Sequence, residues 1–178
     1  MTGQPLIVSI VGKKKSGKTT TLVRLAAELS RRGRQVATIK HSHGFTMDHE
    51  GRDSWRHRHE GGAIRTVVAS EDEFAVLGKW PRGKPLDAID LASTFLSDAD
   101  IVLVEGYHSS DVPTIEVYQR AKHARLWYEQ ASAHRYLAIV SDDASIPAAC
   151  PVLDLHDAAV IGRLADIIEA TSGTWSQR

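Results

Sequence analysis

The chain has 178 residues, of which 42% are hydrophobic and 25% charged, values ordinary for one globular domain with one substantial core. Lys+Arg and Asp+Glu are equal at 22 each, so no overall positive field exists to recruit nucleic acid or an anionic membrane. The single cysteine, Cys150, rules out an intrachain disulfide and a cysteine-based zinc site. No apolar run approaches the ~18 to 20 residues that cross a bilayer, and the N-terminus lacks the basic start and apolar centre of a signal peptide. The expected location is the cytoplasm.

Leu6 to Val11 is a short β-branched run and predicts a strand, and residues 19 to 32 predict a helix. Between them Gly12, Gly17, Lys18 and Thr19 satisfy G-x-x-x-x-G-K-[ST], the Walker A phosphate loop, in the strand–loop–helix context that the pattern requires. Gly12 and Gly17 allow a tight turn whose N–H groups point inward at a polyphosphate beside the positive end of the helix dipole. Lys18 is expected against the β- and γ-phosphates, and Thr19 offers a hydroxyl to Mg²⁺.

In the helix that follows, Leu22, Leu25, Ala26 and Leu29 recur at core spacing, while Arg24, Glu28 and Arg32 have the four-residue spacing of ion pairs. The helix is expected to end at Gly33. Gln35 to Ile39 predicts a second strand, parallel to the first because a helix joins them.

Residues 40 to 63 hold five of the nine histidines, His41, His43, His49, His57 and His59, in no tight zinc spacing. A polar loop accounts for them better than a transition-metal site. Asp48 or Asp53 is suited to orient a Mg²⁺-bound water or a nucleophile near a γ-phosphate. The structural alternative for Asp53 is a cap for a helix over Ser54 to Glu60.

Ile64 to Ala69 and Glu73 to Leu77 read as strands around the turn Ser70-Glu71-Asp72, and Lys79 to Pro85 reads as a loop. A helix is expected over 86 to 97, with Ile89, Ala92 and Leu96 on one face. Ile101 to Val104 describes a buried parallel strand ending in Glu105, at the sheet edge that also carries the phosphate loop. That is the Walker B position, where Glu105 can hold Mg²⁺ or its water and Gly106 can bring an N–H to the γ-phosphate. Pro113 to Tyr118, Tyr136 to Ser141 and Val152 to Leu155 are further strands, 121 to 134 is a helical or irregular connection, and Ile161, Leu164, Ala165 and Ile168 mark a closing helix. Asn-Lys-x-Asp, the guanine-reading pattern of many GTPases, is absent. The fold expected is a single α/β domain over 1 to 178, a three-layer P-loop NTPase with a mainly parallel central sheet and additional β-strands.

Three segments together resemble the molybdopterin-guanine dinucleotide biosynthesis adaptor family, MobB: Gly12 to Thr20, Ile39-Lys40-His41-Ser42-His43 leading to Asp48 and Gly51-Arg52-Asp53-Ser54, and Val104-Glu105-Gly106-Tyr107 before Pro113 to Val117. The resemblance implies a homodimer that binds GTP with Mg²⁺, is at most a weak GTPase, and assists the guanylyltransferase that converts molybdopterin to molybdopterin guanine dinucleotide, with molybdopterin or a molybdoenzyme as further partners. It assigns phosphate binding to Gly12, Lys14, Ser16, Gly17, Lys18, Thr19 and Thr20, magnesium to Thr19 with Glu105, and a switch-like role to Asp48 and Asp53. Two departures stand out: Glu105-Gly106-Tyr107-His108 replaces the family's Glu-Gly-Phe-Lys, and Gly44 follows His43 where the family has a second histidine. The competing reading is a small-molecule kinase that passes a γ-phosphate to a hydroxyl acceptor, with Asp48 or Asp53 as base and Arg52, Arg56 and Arg58 as a lid.

Overall fold

A computed structural model describes residues 4–42, 44–80, 85–107, 111–128 and 133–175; His43, His108 and parts of the expected 79–85 and 121–134 connections lie outside them. The chain divides into two compact units, one of residues 1–41 with 87–178 and one of residues 42–86.

The larger unit is built on six strands: β1 Leu6–Val11, β2 Val36–Lys40, β5 Ile101–Glu105, β6 Thr114–Tyr118, β7 Tyr136–Ser141 and β8 Val152–Asp154. Their order across the sheet is β2-β5-β1-β6-β7-β8, and every pairing is parallel. The expected parallel relation of β1 and β2 holds, but β5 is inserted between them. Helices α1 (Lys18–Arg31), α3 (Ala88–Phe95) and α4 (Val160–Trp175) cover the sheet.

Alternation along the strands sends side chains to opposite faces. Ile101 and Leu103 of β5 join Leu6, Val8 and Ile10 beneath α1 and α4, where Leu25, Leu29, Leu164 and Ile168 are fully buried. Val102 and Val104 face the other way and pack with Ala88 and Ala92 of α3. Here the expected α3 face is corrected, because Ile89 is 40% exposed and the pair buried four residues apart is Ala88 and Ala92. Small residues let this helix lie close to the sheet. A third cluster forms around Tyr118, Leu126 and Ile139, with half-buried Cys150 at its margin, where burial raises the thiol pKa.

Helix α1 stops as its sequence requires. Gly33 takes φ +86°, the Gly33 N–H donates to Ser30 O at 2.9 Å and the Arg34 N–H donates to Leu29 O at 3.1 Å, the pair of bonds that ends a helix on a left-handed glycine. Just before that glycine Arg32 ties α1 to α4, donating to Glu28 (2.8 Å), Asp166 (2.7 Å), Glu169 (2.8 Å) and the Gly162 carbonyl (3.1 Å).

The smaller unit holds α2 (Asp53–His59) and the antiparallel hairpin β3 (Arg65–Ala69) with β4 (Phe74–Gly78). Its hairpin turn is closed by Ser70, whose hydroxyl accepts from the Glu73 N–H at 3.1 Å. The 121–134 connection contains no α-helix among the described residues; the 3-10 turn Ala133–Arg135 leads into β7.

Leu25 sits at the middle of the α1 face with no exposure. Leu25→Ala should lower unfolding free energy by about 2–5 kcal/mol in denaturant titrations, whereas Ile89→Ala should change it by no more than about 0.5 kcal/mol. The reverse order would mean that α3, not α1, carries the helix–sheet packing.

Candidate functional site

The carboxyl ends of three strands coincide. In the parallel register Ile10 lies beside Glu105 and Lys40 lies beside Glu105, so the loop after β1, the last residue of β5 and the last residue of β2 reach one edge together. Open α/β sheets bind ligands at this edge.

Three left-handed residues shape the loop: Gly12 (φ +138°), Lys15 (φ +66°) and Gly17 (φ +104°). A Cβ on Gly12 would come 2.3 Å from the Val117 carbonyl and 2.8 Å from Ser16 Oγ, so β6 passes too close for any other residue. Gly17 caps α1 with no side-chain bond, which leaves the first N–H groups of the helix open to an anion. Ser16 is fully buried and its hydroxyl has no hydrogen-bond partner among the described residues. A polyphosphate fits such a cradle: a strained loop, open donors and an orphaned hydroxyl.

Lys18 Nζ folds over this loop and donates to the Lys13 carbonyl at 2.7 Å. Its pKa is lowered, first by burial and then by the neighbouring Lys40 charge, with Glu105 opposing the shift. Thr19 Oγ1 donates to both Glu105 oxygens at 3.0 Å, and Lys40 Nζ donates to Glu105 Oε1 at 2.9 Å. The expected Thr19 and Glu105 pair is thus in direct contact, while Lys40, foreseen only as a strand end, adds a second cation to the carboxylate. Gly106 follows with φ +104°, its backbone against His41, whose ring meets Tyr107 edge-on at 5.0 Å.

Two further residues brace the loop and went unnoticed in the sequence. Gln119 Nε2 donates to the Ser16 carbonyl at 2.8 Å and Lys122 Nζ to the Lys15 carbonyl at 3.3 Å. Both follow β6, and only the sheet order, which makes β6 the neighbour of β1, brings them here. Behind them the fully buried carboxylate of Glu116 accepts the Trp127 N–H at 2.6 Å and the Tyr128 N–H at 2.8 Å, anchoring the chain that leaves β6.

A cleft of about 690 Å³ extends from the loop, with Lys14, Thr20 and Arg24 on its rim and Val140, Leu155 and Val160 as apolar wall. Such volume suits a nucleotide-sized ligand. The wall comes from the C-terminal third of the chain, where the sequence showed only strand and helix periodicity.

Asp48 and Asp53 belong to the smaller unit. Asp48 is paired with Arg58 at 2.6 Å and accepts from Ser54 Oγ at 2.9 Å; the Arg58 guanidinium holds its carboxyl below the ordinary range. Asp53 is the first residue of α2 rather than its cap, a place taken by Arg52 with no side-chain bond, and its charge suits the positive helix end. Arg56 pairs with Glu60 at 2.9 Å, so two of the three arginines considered for a lid are engaged within this unit. His59 Nδ1 donates to the Trp55 carbonyl (2.8 Å), and its ring stacks on the Trp55 ring.

The profile of one family, MobB, molybdopterin guanine dinucleotide synthesis protein B, matches residues 7–142. A protein of Haemophilus influenzae named molybdopterin-guanine dinucleotide biosynthesis adapter protein is 37% identical over 122 residues, 67% of each chain. One of Escherichia coli with the same name is 32% identical over 155 residues, 86% of this chain and 85% of its own. Among solved structures, a molybdopterin-guanine biosynthesis protein B superposes with TM-score 0.71 at 27% identity, covering 94% of this chain and 99% of that one. A MobB homologue from Bacillus stearothermophilus superposes at 0.65 with 24% identity, covering 92% and 98%, a likeness of fold.

Gly12→Ala tests the cradle directly. The added methyl collides with the Val117 carbonyl, so triphosphate affinity measured by calorimetry should fall at least 100-fold, about 2.7 kcal/mol, in a protein whose circular dichroism is unchanged. Parent-like affinity would show that the loop does not hold phosphate.

Proposed function

We propose that this chain, which belongs to the molybdopterin guanine dinucleotide synthesis protein B family, is a cytoplasmic GTP-binding adapter that assists conversion of molybdopterin to molybdopterin guanine dinucleotide and hydrolyses GTP weakly with Mg²⁺. The observation that carries the nucleotide part is the contact of Thr19 with Glu105 at the mouth of a glycine-shaped loop whose lysine is already folded inward. The adapter role follows from the two named relatives, and its partners are then the guanylyltransferase and molybdopterin or a molybdoenzyme.

In this reading the N–H groups from Gly12 to Thr20 hold the polyphosphate, and the orphaned Ser16 hydroxyl gains an acceptor. Lys18 exchanges the Lys13 carbonyl for phosphate oxygens. Partial burial strengthens that new contact, because charge interactions grow as water is excluded. Thr19 and Glu105 are the residues that would hold Mg²⁺, which when bound offsets the negative charge on the phosphate oxygens. Lys40 keeps one Glu105 oxygen occupied and fixes the carboxylate's orientation. Gly106, beside Glu105, offers a further backbone N–H. Asp48 and Asp53 keep the switch-like role that the resemblance implies.

A homodimer suits the hairpin of the smaller unit. A two-stranded sheet alone is marginal in water, and one face of this hairpin exposes Val67 (63%), Phe74 (75%) and Val76 (42%). A second copy would cover this face and pair its free edges.

Glu105→Gln keeps the shape and removes the charge. Single-turnover GTP hydrolysis should fall by roughly one to three orders of magnitude with little change in GTP affinity, as expected for an interaction made chiefly in the transition state. Equal rates would reduce Glu105 to a structural acid. Light scattering should give twice the 19.5 kDa chain mass, and Val67→Asp with Phe74→Asp should return it to one. A monomeric parent would remove the dimer.

A further inference from the structure

The fold leaves one cation of α1 unengaged. Arg24 has the spacing to pair with Glu28, yet Glu28 gives its oxygens to Arg31 (2.9 and 2.8 Å) and Arg32 (2.8 Å). Among the described residues Arg24 forms no hydrogen bond or ion pair. It lines the cleft instead, six residues beyond Lys18, or ~9 Å along a helix, so it stands a nucleoside's reach from the phosphate loop. Arg24 also borders the groove formed by Ala158, Ala159 and Ile161. The cleft that it lines is walled by Leu155 and Val160, an apolar surface on which a base can rest.

The carboxylates that follow β7 and β8 are engaged in their own turns. Asp142 accepts the Arg120 N–H at 2.7 Å. Asp143 accepts from the Ser145 N–H and hydroxyl and pairs with Arg120. Asp154 accepts the His156 N–H at 2.9 Å, and Asp157 accepts the Ala159 N–H at 2.8 Å and pairs with Arg163. Asn-Lys-x-Asp, which would present a carboxylate to the guanine N1–H and amino group, is absent from the sequence.

We propose that Arg24 discriminates the base, donating two guanidinium N–H groups to the O6 and N7 acceptors of a 6-oxopurine. The inference rests on the reading of this cleft as a nucleotide site. A planar fork of donors matches the O6/N7 edge, whereas adenine turns its own N6 amino donor toward it. The 2-amino group of guanine plays no part, so recognition is of the 6-oxopurine class rather than of guanine alone.

Inosine triphosphate, which has O6 and N7 but no 2-amino group, separates this from reading by a carboxylate. Calorimetry with the Mg²⁺ complexes should find GTP and ITP within about threefold of each other, and both roughly 10- to 100-fold tighter than ATP. Arg24→Ala should bring the GTP-to-ATP ratio near one while ATP affinity stays within about threefold, because the phosphate loop is untouched, and Arg24→Lys should retain part of the preference. The site is exposed and alanine favours helix, so both variants should melt as the parent does. An unchanged GTP-to-ATP ratio in Arg24→Ala, or GTP bound tenfold tighter than ITP by the parent, overturns the proposal and leaves nucleotide binding intact. Failure of the parent to bind any triphosphate overturns both.

Discussion

The contact on which the site depends is the hydrogen bond between Thr19 and Glu105, 86 residues apart in the chain. It exists because β1 and β5 are parallel neighbours in a register that sets Ile10 beside Glu105. A slip of one residue would turn every β5 side chain to the opposite face, sending Ile101 and Leu103 toward α3 and Val102 and Val104 toward α1. The apolar packing of both faces therefore enforces the position of one carboxylate. Lys40 arrives by the same device, since β2 is in register with β5 on its other side.

The phosphate loop has a second support on the β6 side. Val117 approaches so closely that position 12 must be glycine, and Gln119 holds the Ser16 carbonyl. Burying Glu116 is costly in itself, and two backbone hydrogen bonds offset that cost while tying Trp127 and Tyr128, beyond the segment that carries Gln119 and Lys122, back to β6. A loop strained at Gly12, Lys15 and Gly17 persists because its surroundings over-determine it.

The smaller unit is organised differently. It has little apolar interior of its own: no residue of α2 is buried, and its internal order rests on polar contacts such as Asp48 with Arg58 and Ser54. Such a unit relies on short-range hydrogen bonds where the larger one relies on a core, and its apolar residues are among the most exposed of the described chain, with Ile64 at 81% and Phe74 at 75%.

Much of this was legible in the sequence. The glycine spacing, the strand before it and the helix after it specify the phosphate loop locally, and an apolar strand ending in Glu105 identifies its counterpart, because strand and helix periodicities are properties of neighbouring residues. The Gly33 stop and the hairpin turn at Ser70 are local in the same sense. What tertiary structure alone decided is which residues from distant elements meet. Nothing in the local pattern says that β5 inserts between β1 and β2, that Gln119 braces Ser16, or that Val140, Leu155 and Val160 wall the cleft. Nor does four-residue spacing reveal that Glu28 turns to Arg31 and Arg32 rather than Arg24, since Arg32 is drawn toward Asp166 and Glu169 of α4. Strand order and helix packing are choices among sequence-distant surfaces, made by the burial of whole faces, and the residues of the site follow from them.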